Sequence, residues 1–486
     1  MRIKESSTKV NLILQIAYRI LTVLTPLITS PYLSRILGPS NLGIYSATYA
    51  YANYYILLAM LGVEYHGNRE ISLHDNPQEL KKTFWGIYYV QACVAVFAII
   101  IYLLTIPLFS AERRFYLLWQ GLWIVAAGLD INWFFFGTQQ FKLTVTRNVV
   151  IKILTIAGMF LLVRGENDLW KYILLMACGL LVNQLVMWFF LIKQIGFSRP
   201  NGKDIVPNIG PMFKLFIPVI GLSVFQVTDK IMVDWLSDSV NGGCYYNADR
   251  LINIPISVIT ALSTVMLPKL VREFDGQVKD KEKAFALLGK SSELTISLTA
   301  AIAFGLGAIS FEFVPFFFGK GYELCVSLIL GFVPVIIFKA QEEFVRSQYL
   351  IPTKQDNIYI QAVFVAAVIN IIANYFLILH FGAFGAVLGT IIAESVLFTY
   401  QLIRTRGEIS FFKIFMRNWP YLLFGLVMFV VVRVIAATTN LSDGLTVVIS
   451  ICSGACLYCL LSLVYALLNK KSVYHNYVTL MIYRKK

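Results

Sequence analysis

The chain has 486 residues, of which 58% are hydrophobic and only 14% charged, and its formal net charge is +14. A soluble domain carries roughly a quarter of charged residues, so this composition argues against a soluble protein. The positive charge could indicate a nucleic-acid-binding protein, but the Lys and Arg residues lie in short segments between long apolar runs. That distribution is typical of integral membrane proteins, and we predict one that is all α-helical.

About fourteen apolar segments follow one another along the chain, each long enough to cross a hydrocarbon layer of about 30 Å. The first six cover residues 12–30, 42–63, 84–109, 115–136, 145–163 and 169–192. The next six and a final pair cover residues 212–236, 251–267, 294–318, 325–345, 358–379, 384–403, 419–437 and 445–468. No cleavage site of small residues follows the first run, which predicts a retained span and not a removed signal peptide.

The basic residues are distributed unequally between the two sides of these predicted spans. If the N-terminus is cytoplasmic, 29 of the 41 Lys and Arg residues fall on the inner side, eight on the outer side and four within spans. Cytoplasmic loops carry such an excess, so both termini are predicted inside. A missed span would invert the alternation of basic and less basic loops from that point on. The alternation persists to the C-terminus, which favours a count of fourteen spans.

An internal echo suggests two related halves. Residues 41–45 read Asn-Leu-Gly-Ile-Tyr after the first span, and residues 241–245 read Asn-Gly-Gly-Cys-Tyr after the seventh. A five-residue match also arises by chance, but the even spacing of the spans favours a repeat, and paired lobes are a common transporter plan. We predict an N-terminal lobe at 1–200, a C-terminal lobe at 201–410, and two extra helices with a cytoplasmic tail at 411–486.

Ionisable groups inside a bilayer are costly, so each is a candidate for function. The first helix carries a polar stripe, because intervals of three and four residues place its polar positions on one face: Gln15, Arg19, Thr22, Pro26 and Thr29. The stripe predicts a cavity lining, although Arg19 could instead form an ion pair or extend toward the cytoplasm. The seventh helix repeats this design with Ser223, Gln226, Lys230 and Asp234. Asp229 lies beside Lys230, and a local Asp–Lys network is the alternative.

Three further ionisable residues lie within predicted spans. Lys152 and Asp130 lie in the inner third of their helices, where they could pair with each other or with Arg19. Glu394 lies near the middle of the twelfth helix without a cation on that helix, and apolar surroundings favour its neutral form. Such a carboxyl suits a proton carrier, but it could also be a neutral group that is hydrogen-bonded to Asn370 or Asn374.

Recognisable catalytic patterns do not emerge from the chain. Its seven cysteines and four histidines do not combine into a metal-ligand pattern. We also find no nucleophilic triad, no Walker loop and no dinucleotide-binding glycine pattern before a helix. We therefore predict no catalytic residues, no metal site and no cofactor beyond H⁺ or Na⁺ as a coupling ion.

Several motifs resemble those of bacterial polysaccharide flippases of the O-antigen (Wzx) type, within the multidrug/oligosaccharidyl-lipid/polysaccharide exporter superfamily. Residues 31–39 (Pro-Tyr-Leu-Ser-Arg-Ile-Leu-Gly-Pro) and 43–46 (Gly-Ile-Tyr-Ser) resemble the opening of that family. The later stretches follow in the same order: 130–137 (Asp-Ile-Asn-Trp-Phe-Phe-Phe-Gly), 147–148 (Arg-Asn), 228–232 (Thr-Asp-Lys-Ile-Met), 349–354 (Tyr-Leu-Ile-Pro-Thr-Lys) and 370–394. The chain departs from the family at 138–140, where many relatives carry an acidic residue, and at 240–243.

The resemblance implies two pseudo-symmetric six-helix lobes, as in multidrug exporters and lipid II flippases, plus two C-terminal helices. It also implies a cationic cavity that accepts an undecaprenyl-pyrophosphate-linked oligosaccharide, which alternating access carries across the bacterial inner membrane. The expected partners are this substrate, membrane lipid, a polysaccharide polymerase and other assembly proteins, with no nucleic acid. Candidate substrate ligands are Gln15, Arg19, Arg35, Arg147, Lys152, Gln226 and Lys230, and candidate ion-coupling residues are Asp130, Asp229 and Glu394.

Two other functions fit parts of the sequence. An H⁺- or Na⁺-coupled exporter of drugs or other small molecules would share the architecture, and its cavity would be dominated by carboxylates and aromatic residues. A membrane glycosyltransferase or polymerase would need catalytic groups, usually in large loops. The outer loops of this chain are very short, which argues against an enzyme.

Overall fold

The computed structural model describes residues 8–74, 76–275, 281–439, 441–469 and 472–475, with side chains from residue 21 onward except at 23, 222, 225, 275, 281 and 282. These described residues are almost entirely helical and contain no strand. They divide into two compact units, Met1–Trp235 and Leu236–Lys486. The predicted all-α class is therefore confirmed.

The first unit contains eight helices. They are α1 (Thr8–Met60), α2 (Val63–Ser72), α3 (Pro77–Thr105), α4 (Ala111–Gly128), α5 (Asn132–Gly137), α6 (Phe141–Leu162), α7 (Leu169–Ile195) and α8 (Gly202–Leu236). Helix α1 is interrupted at Gly38, whose φ of 75° and ψ of 170° are not helical. Glycine adopts this positive φ without the steric cost of a Cβ, so the break follows from the sequence Gly-Pro at 38–39.

The second unit contains α9 (Ser239–Asp275), α10 (Lys281–Phe317), α11 (Leu324–Val345), α12 (Asp356–Phe381), α13 (Ala383–Thr405), α14 (Phe411–Arg417), α15 (Pro420–Thr438) and α16 (Asp443–Leu468). A π-helical turn, Arg346–Leu350, continues α11. Helices α11, α12 and α13 pack side by side, and α15 and α16 pack against α10.

Ten of the described helices are long and apolar enough to cross a membrane. The number is eleven if α8, which bends by 52° between Gly202–Gly221 and Gln226–Leu236, is counted as one span. The chain is thus a multi-pass membrane protein, while the count of fourteen stays a prediction. The other three predicted spans lie on the two parts of α1 and on α4 with α5, and α4 is less apolar because Glu112, Arg113 and Arg114 occupy its first turn.

Helix α8 packs within the first unit, whereas the sequence placed it in the C-terminal lobe. Gly62 lets the chain approach α8 closely, since a Cβ there would lie 2.9 Å from the Met212 carbonyl oxygen. His66 Nε2 and Asn208 Oδ1 are 2.8 Å apart on the same contact. The predicted lobe boundaries of 1–200, 201–410 and 411–486 stay a prediction, and the observed division falls at Trp235.

The final two helices are held against α10 at both of its ends. Near its C-terminal end, Arg433 Nη1 lies 2.8 Å from Glu312 Oε2, and its guanidinium stacks 4.0 Å from the centre of the Phe311 ring. Near its N-terminal end, the buried Glu293 carboxylate accepts hydrogen bonds from three groups: Tyr421 Oη (2.8 Å), Ser472 Oγ (2.6 Å) and Val473 N (3.0 Å). The carboxylate therefore joins α10, α15 and the segment after α16.

Replacing Glu293 with alanine is expected to lower the melting temperature of the purified protein and to release the segment at residues 472–475. The change leaves three buried donors without an acceptor, and each unsatisfied donor costs about 1–3 kcal/mol. Thermal unfolding in detergent and limited proteolysis of the C-terminus would measure the effect. Glu112→Ala, at an exposed carboxylate, is the matched control. Equal melting temperatures for the two variants would contradict this anchoring role.

Candidate functional site

Lys152 lies against the polar stripe of α1. Its Nζ donates to Thr22 Oγ1 at 3.4 Å, which brings one half-buried cation of α6 to the middle of the stripe. The backbone of Gln15 and Arg19 lies in α1, but their side chains fall outside the described residues. The three-residue interval between Arg19 and Thr22 predicts that the two share a helix face, and this stays a prediction. Among the described side chains, the stripe brings Lys152 together with Thr22.

Arg147, the second cation of α6, is buried, and both of its terminal nitrogens donate to protein acceptors. It donates to the Asn183 carbonyl oxygen (3.0 Å), to Asn132 Oδ1 (2.8 Å) and to Asn148 Oδ1 (2.7 Å). Asn183 also donates to Asn148 Oδ1 at 3.0 Å. These bonds join α5, α6 and α7, which favours a positioning role for Arg147. Its assignment as a substrate ligand stays a prediction.

Asp130 lies in the short break between the end of α4 and the start of α5. Its Oδ1 accepts from the Asn132 backbone N–H at 2.8 Å, and its Oδ2 accepts from Gln184 Nε2 at 2.9 Å. Gln91 Nε2 donates to the carbonyl oxygens of Ala127 and Asp130, and so satisfies the acceptors that the break exposes. The described contacts of this carboxylate are therefore not with Lys152, as the sequence suggested, and they serve the local fold.

The family-like motif at residues 130–137 also contributes a packing contact. Trp133 of α5 is buried against Phe84 of α3 with ring centres 5.2 Å apart, and its Nε1 donates to Gln91 Oε1 at 3.2 Å. A Cβ at Gly67 would collide with this indole ring, and a Cβ at Gly137 would collide with Ile71. The aromatic run at 133–136 thus joins α5 to α2 and α3.

Helix α8 brings a further set of predicted residues to the first unit. Asp229 is buried, Lys230 is half-buried and Gln226 is exposed. Next to them, Tyr54 Oη of α1 and Thr228 Oγ1 lie 2.5 Å apart, which connects α8 to the helix that carries the stripe. Lys230 therefore lies on a helix that contacts α1, and its role in substrate binding stays a prediction. Arg35 is exposed on α1, just before the break at Gly38.

The described ion pair of Asp234 is with Arg113 of α4, which the sequence did not single out. Arg113 Nη1 lies 2.7 Å from Asp234 Oδ2, and the Asp234 side chain is fully buried. Arg113 belongs to a charged trio, Glu112 to Arg114, at the start of α4, and such a cluster is typical of an ordinary polar loop. Only its proximity in space to a buried carboxylate identifies it.

Arg113→Ala is expected to destabilise the protein by about 3–5 kcal/mol, because it leaves a buried carboxylate without its cation. Arg113→Gln combined with Asp234→Asn should recover much of this loss, since neither buried charge remains. The free energies of unfolding of both singles and the double variant in detergent would show it. Lys171→Ala, at a more exposed ion pair with Asp168, is the control and should cost less than about 1 kcal/mol. Additive losses at Arg113 and Asp234 would contradict a direct interaction.

In the second unit, Glu394 is buried on α13, where the sequence placed it. Asn374 Nδ2 donates to Asn370 Oδ1 at 3.2 Å within α12, and Asn374 lies against Gly389 of α13. A bond from either asparagine to Glu394 stays a prediction. The electrostatic neighbours of Glu394 include Glu342 of α11, which the sequence analysis missed. Two adjacent glutamates in an apolar span, at 342–343, were the signal that could have identified it.

We searched the described residues for groups of side chains that could bind a metal ion. Among the described residues, no group of three or more His, Cys, Asp or Glu side chains is placed to hold a metal ion. The predicted coupling ion, H⁺ or Na⁺, is not tested by this observation.

Comparison with known proteins identifies the family. The chain matches the family described as polysaccharide biosynthesis protein over residues 9–274, more than half of its length. Two relatives are named "Putative O-antigen transporter". The Shigella dysenteriae protein is 18% identical over 400 residues, covering 81% of this chain and 99% of the relative. The protein of Escherichia coli strain K12 is 19% identical over 391 residues, covering 79% and 93%.

The fold matches that of a solved flippase. The lipid II flippase MurJ in an inward closed conformation superposes with a TM-score of 0.72 at 17% identity, over 97% of this chain and 100% of that chain. The resemblance to O-antigen flippases is thus confirmed by relatives that align over most of their length, and both relatives are named as transporters. The chain is a multi-pass membrane protein that belongs to the polysaccharide biosynthesis protein family.

Proposed function

We propose that the protein is a flippase that moves a lipid-linked oligosaccharide from the cytoplasmic to the outer leaflet of the bacterial inner membrane. The observation that carries the proposal is the position of Lys152 against the polar stripe of α1, in a chain with the fold of a lipid flippase. We infer that the lipid carrier is undecaprenyl pyrophosphate, as the family resemblance implies. The pyrophosphate and its sugars form the polar head group, and this head group is the part that the protein must carry across the hydrocarbon.

The chemistry of the head group matches these side chains. An anionic pyrophosphate with attached sugars cannot enter hydrocarbon unaided, because burying an unpaired charge is very costly. Arg19 can bind phosphate oxygens through paired donors, whereas Lys152 and Lys230 act as point charges. Gln15 and Gln226 supply amides for sugar hydroxyls. In the proposed cycle, alternating access exposes this cationic surface first to the cytoplasm and then to the outside, while the polyprenyl tail stays in lipid.

We propose that the membrane potential and an ion gradient supply the energy for the cycle. An inside-negative potential favours outward movement of an anionic head by about 2.3 kcal/mol per charge per 100 mV. Inward movement of H⁺ or Na⁺ would add to this, and Glu394 is the proposed carrier because it is buried on α13. Asp130 is a weaker candidate, since both of its carboxylate oxygens bond to the local fold. Asp229 is buried beside the contact between Tyr54 and Thr228 and stays a candidate.

The test is transport by the purified protein in proteoliposomes. We expect it to bind radiolabelled lipid-linked oligosaccharide and to move it between leaflets, with polyprenyl pyrophosphate as a competitor. Lys152→Ala should weaken binding, whereas Lys142→Ala, at an exposed lysine earlier on the same helix, should not. Transport of cationic drugs without binding of the lipid-linked sugar would favour the alternative, an ion-coupled exporter of small molecules.

The proposed direction requires the predicted orientation, with both termini in the cytoplasm. A single cysteine in place of Lys283, near the start of α10 and on the predicted inner side between the eighth and ninth spans, should resist an impermeant thiol reagent added to intact cells. The native cysteines would first be replaced by serine or alanine. Strong labelling from outside would overturn the orientation.

A further inference from the structure

Helix α14 (Phe411–Arg417) lies at a membrane boundary of the second unit. It connects α13 (Ala383–Thr405) to α15 (Pro420–Thr438), and both of these helices are long and apolar enough to span a membrane. The seven residues of α14 extend over only about 10 Å, and the whole connection is residues 406–419. Whichever side of the membrane it faces, α14 therefore lies near the level of the lipid head groups.

One face of α14 packs onto the rest of the second unit. The ring of buried Phe411 lies 5.2 Å, centre to centre, from Tyr349 in the π-helical turn after α11. The ring of Phe415 packs against α13. Just after the helix, Asn418 Nδ2 donates to Ser292 Oγ of α10 at 3.3 Å. These contacts fix the orientation of α14, and so they determine which of its residues face outward.

The outward face of α14 carries two parallel stripes. Phe412 and Met416, one turn apart, are 62% and 51% exposed, and Trp419 just beyond the helix is 51% exposed. Lys413 and Arg417 are also exposed and one turn apart, so they form a basic stripe beside the apolar one. A helix with this pattern typically lies in the plane of the membrane interface, where tryptophan is also enriched.

The charge of this region favours an anionic ligand. Residues 403–419 contain four basic residues and one acidic residue, Glu408. The Glu408 carboxylate accepts hydrogen bonds from Tyr349 Oη (2.5 Å) and Gln355 Nε2 (2.9 Å), so it serves contacts within the unit. Arg406 and Lys413 are exposed. The last three residues of the chain are basic as well, and charge complementarity therefore argues against the chain's own C-terminus as the occupant.

Arg404, in the last turn of α13, is held in position for a phosphate group. Its Nη1 donates to Gln361 Oε1 of α12 at 3.1 Å and to Tyr400 Oη at 3.0 Å, and the residue is exposed. Within the part of the chain that the structure describes, its Nε and Nη2 make no hydrogen bond. Paired guanidinium donors of this kind match the oxygens of a phosphate group.

We propose that this surface, formed by the outward face of α14 and the basic end of α13, binds an anionic phospholipid. Arg404, Arg406 and Lys413 contact the phosphate head group, while Phe412 and Met416 insert among the acyl chains. A phospholipid satisfies both stripes at once, whereas an acidic protein in the aqueous phase would match only the basic one. The inference goes beyond the proposed function, because the lipid is bound at the periphery and is not carried.

The first experiment measures lipid binding by native mass spectrometry. The full-length protein in detergent is titrated with phosphatidylglycerol or with phosphatidylcholine of the same acyl chains. We expect the anionic lipid to bind more tightly and to raise the melting temperature, because a ligand of the folded state stabilises it. Equal affinity for the two lipids would overturn the proposal.

Variants locate the lipid on this surface. Lys413→Gln should weaken phosphatidylglycerol binding about fivefold, and the double variant Arg406→Gln/Lys413→Gln about twenty-five-fold, as expected for independent basic residues at a lipid surface. Lys142→Gln, at an exposed lysine of α6 in the first unit, is the matched control and should leave binding unchanged. An equal loss in the control would show that the lipid responds to net charge and not to this surface.

A second measurement tests the apolar stripe. In protein whose native cysteines are replaced, a nitroxide label on Phe412→Cys is placed in phosphatidylglycerol vesicles. We expect its relaxation to respond to oxygen, which concentrates in the acyl chains, more than to a water-soluble nickel complex. A label at Lys413→Cys should respond more to nickel. A Phe412→Cys label in water would contradict insertion and would favour an acidic protein as the occupant. Displacement of the phospholipid by glycerol 3-phosphate would likewise exclude a lipid-specific site.

The outcomes separate this inference from the proposed function. Excess polyprenyl pyrophosphate should leave phosphatidylglycerol bound, and its displacement would place the phospholipid at the proposed head-group site and overturn a distinct surface. Phosphatidylglycerol bound at α14 in a protein that moves no lipid-linked sugar would retain the surface and refute the flippase. Normal flipping without a preference for the anionic phospholipid would do the reverse. Gel filtration of each variant reports folding, and the comparison of the two lipids needs no variant.

Discussion

Arg19→Ala is expected to abolish polysaccharide export while leaving the amount of protein in the membrane normal. The proposed head-group site would lose a bidentate phosphate ligand, and a cation that serves substrate binding is expected to contribute little to folding. Arg19→Lys should restore export only in part, because lysine keeps the charge but not the paired donors. Surface polysaccharide in a deletion strain, measured alongside membrane levels of the variant, would show both effects.

A variant of Lys152 tests the same site as Arg19→Ala, because Lys152 Nζ donates to Thr22 on the same polar stripe. Lys152→Ala should reduce transport by roughly tenfold to a hundredfold, and the loss in the double variant with Arg19→Ala should be less than the product of the two single losses. Groups that bind one ligand couple in this way. Lys142→Ala is the control for charge. Normal export by Arg19→Ala would show that Arg19 is structural.

Much of the architecture follows from the sequence because the bilayer imposes a simple rule. Every span must be apolar and helical, so the lengths of the apolar runs and the breaks between them are visible in composition alone. The long α10 and the pair α15 and α16 lie where apolar runs predicted them. Even the break in α1 follows from Gly38 before Pro39.

Pairings between helices were not predictable in the same way. Asp130 and Lys152 could be partners on sequence grounds because both are charged and lie in the inner third of predicted spans, yet the described bonds of Asp130 go to Asn132 and Gln184. Arg113 and Asp234 are more than a hundred residues apart, and nothing in their local sequences connects them. Hydrophobic periodicity and hydropathy describe one helix at a time, whereas an ion pair between helices depends on how two helices pack.

The missed Glu342 illustrates the same limit at the candidate coupling site. Its position in an apolar span was visible, but its proximity to Glu394 depends on how α11 packs against α13. Of the three candidate ion carriers that the sequence nominated, only Glu394 lies in the second unit, and the packing brings Glu342 into its electrostatic surroundings. Four buried amide atoms on Gln348 and Gln401 were equally invisible, since a glutamine is costly only when packing removes its partners.

Glu394→Gln is expected to remove the acceleration of flipping by an imposed pH gradient while preserving a slower, potential-driven rate. In proteoliposomes with the protein in one orientation, acid on the outer-leaflet side should drive H⁺ inward and the anionic head outward. A glutamine keeps the size of the side chain but cannot exchange a proton, so the gradient loses its carrier. The membrane potential still acts on the head itself, at about 2.3 kcal/mol per charge per 100 mV, which is why flipping should persist.

Lipid-linked sugar accessible from the outer leaflet, measured with pH and Na⁺ gradients imposed separately, gives the readout. Glu112→Gln is the matched control, because it removes a carboxylate from an exposed position and should keep the full response. An unchanged gradient-driven rate in Glu394→Gln would exclude Glu394 as the carrier. A wild-type rate that responds to neither gradient would exclude ion antiport, and the potential acting on the pyrophosphate would then be the remaining source of direction.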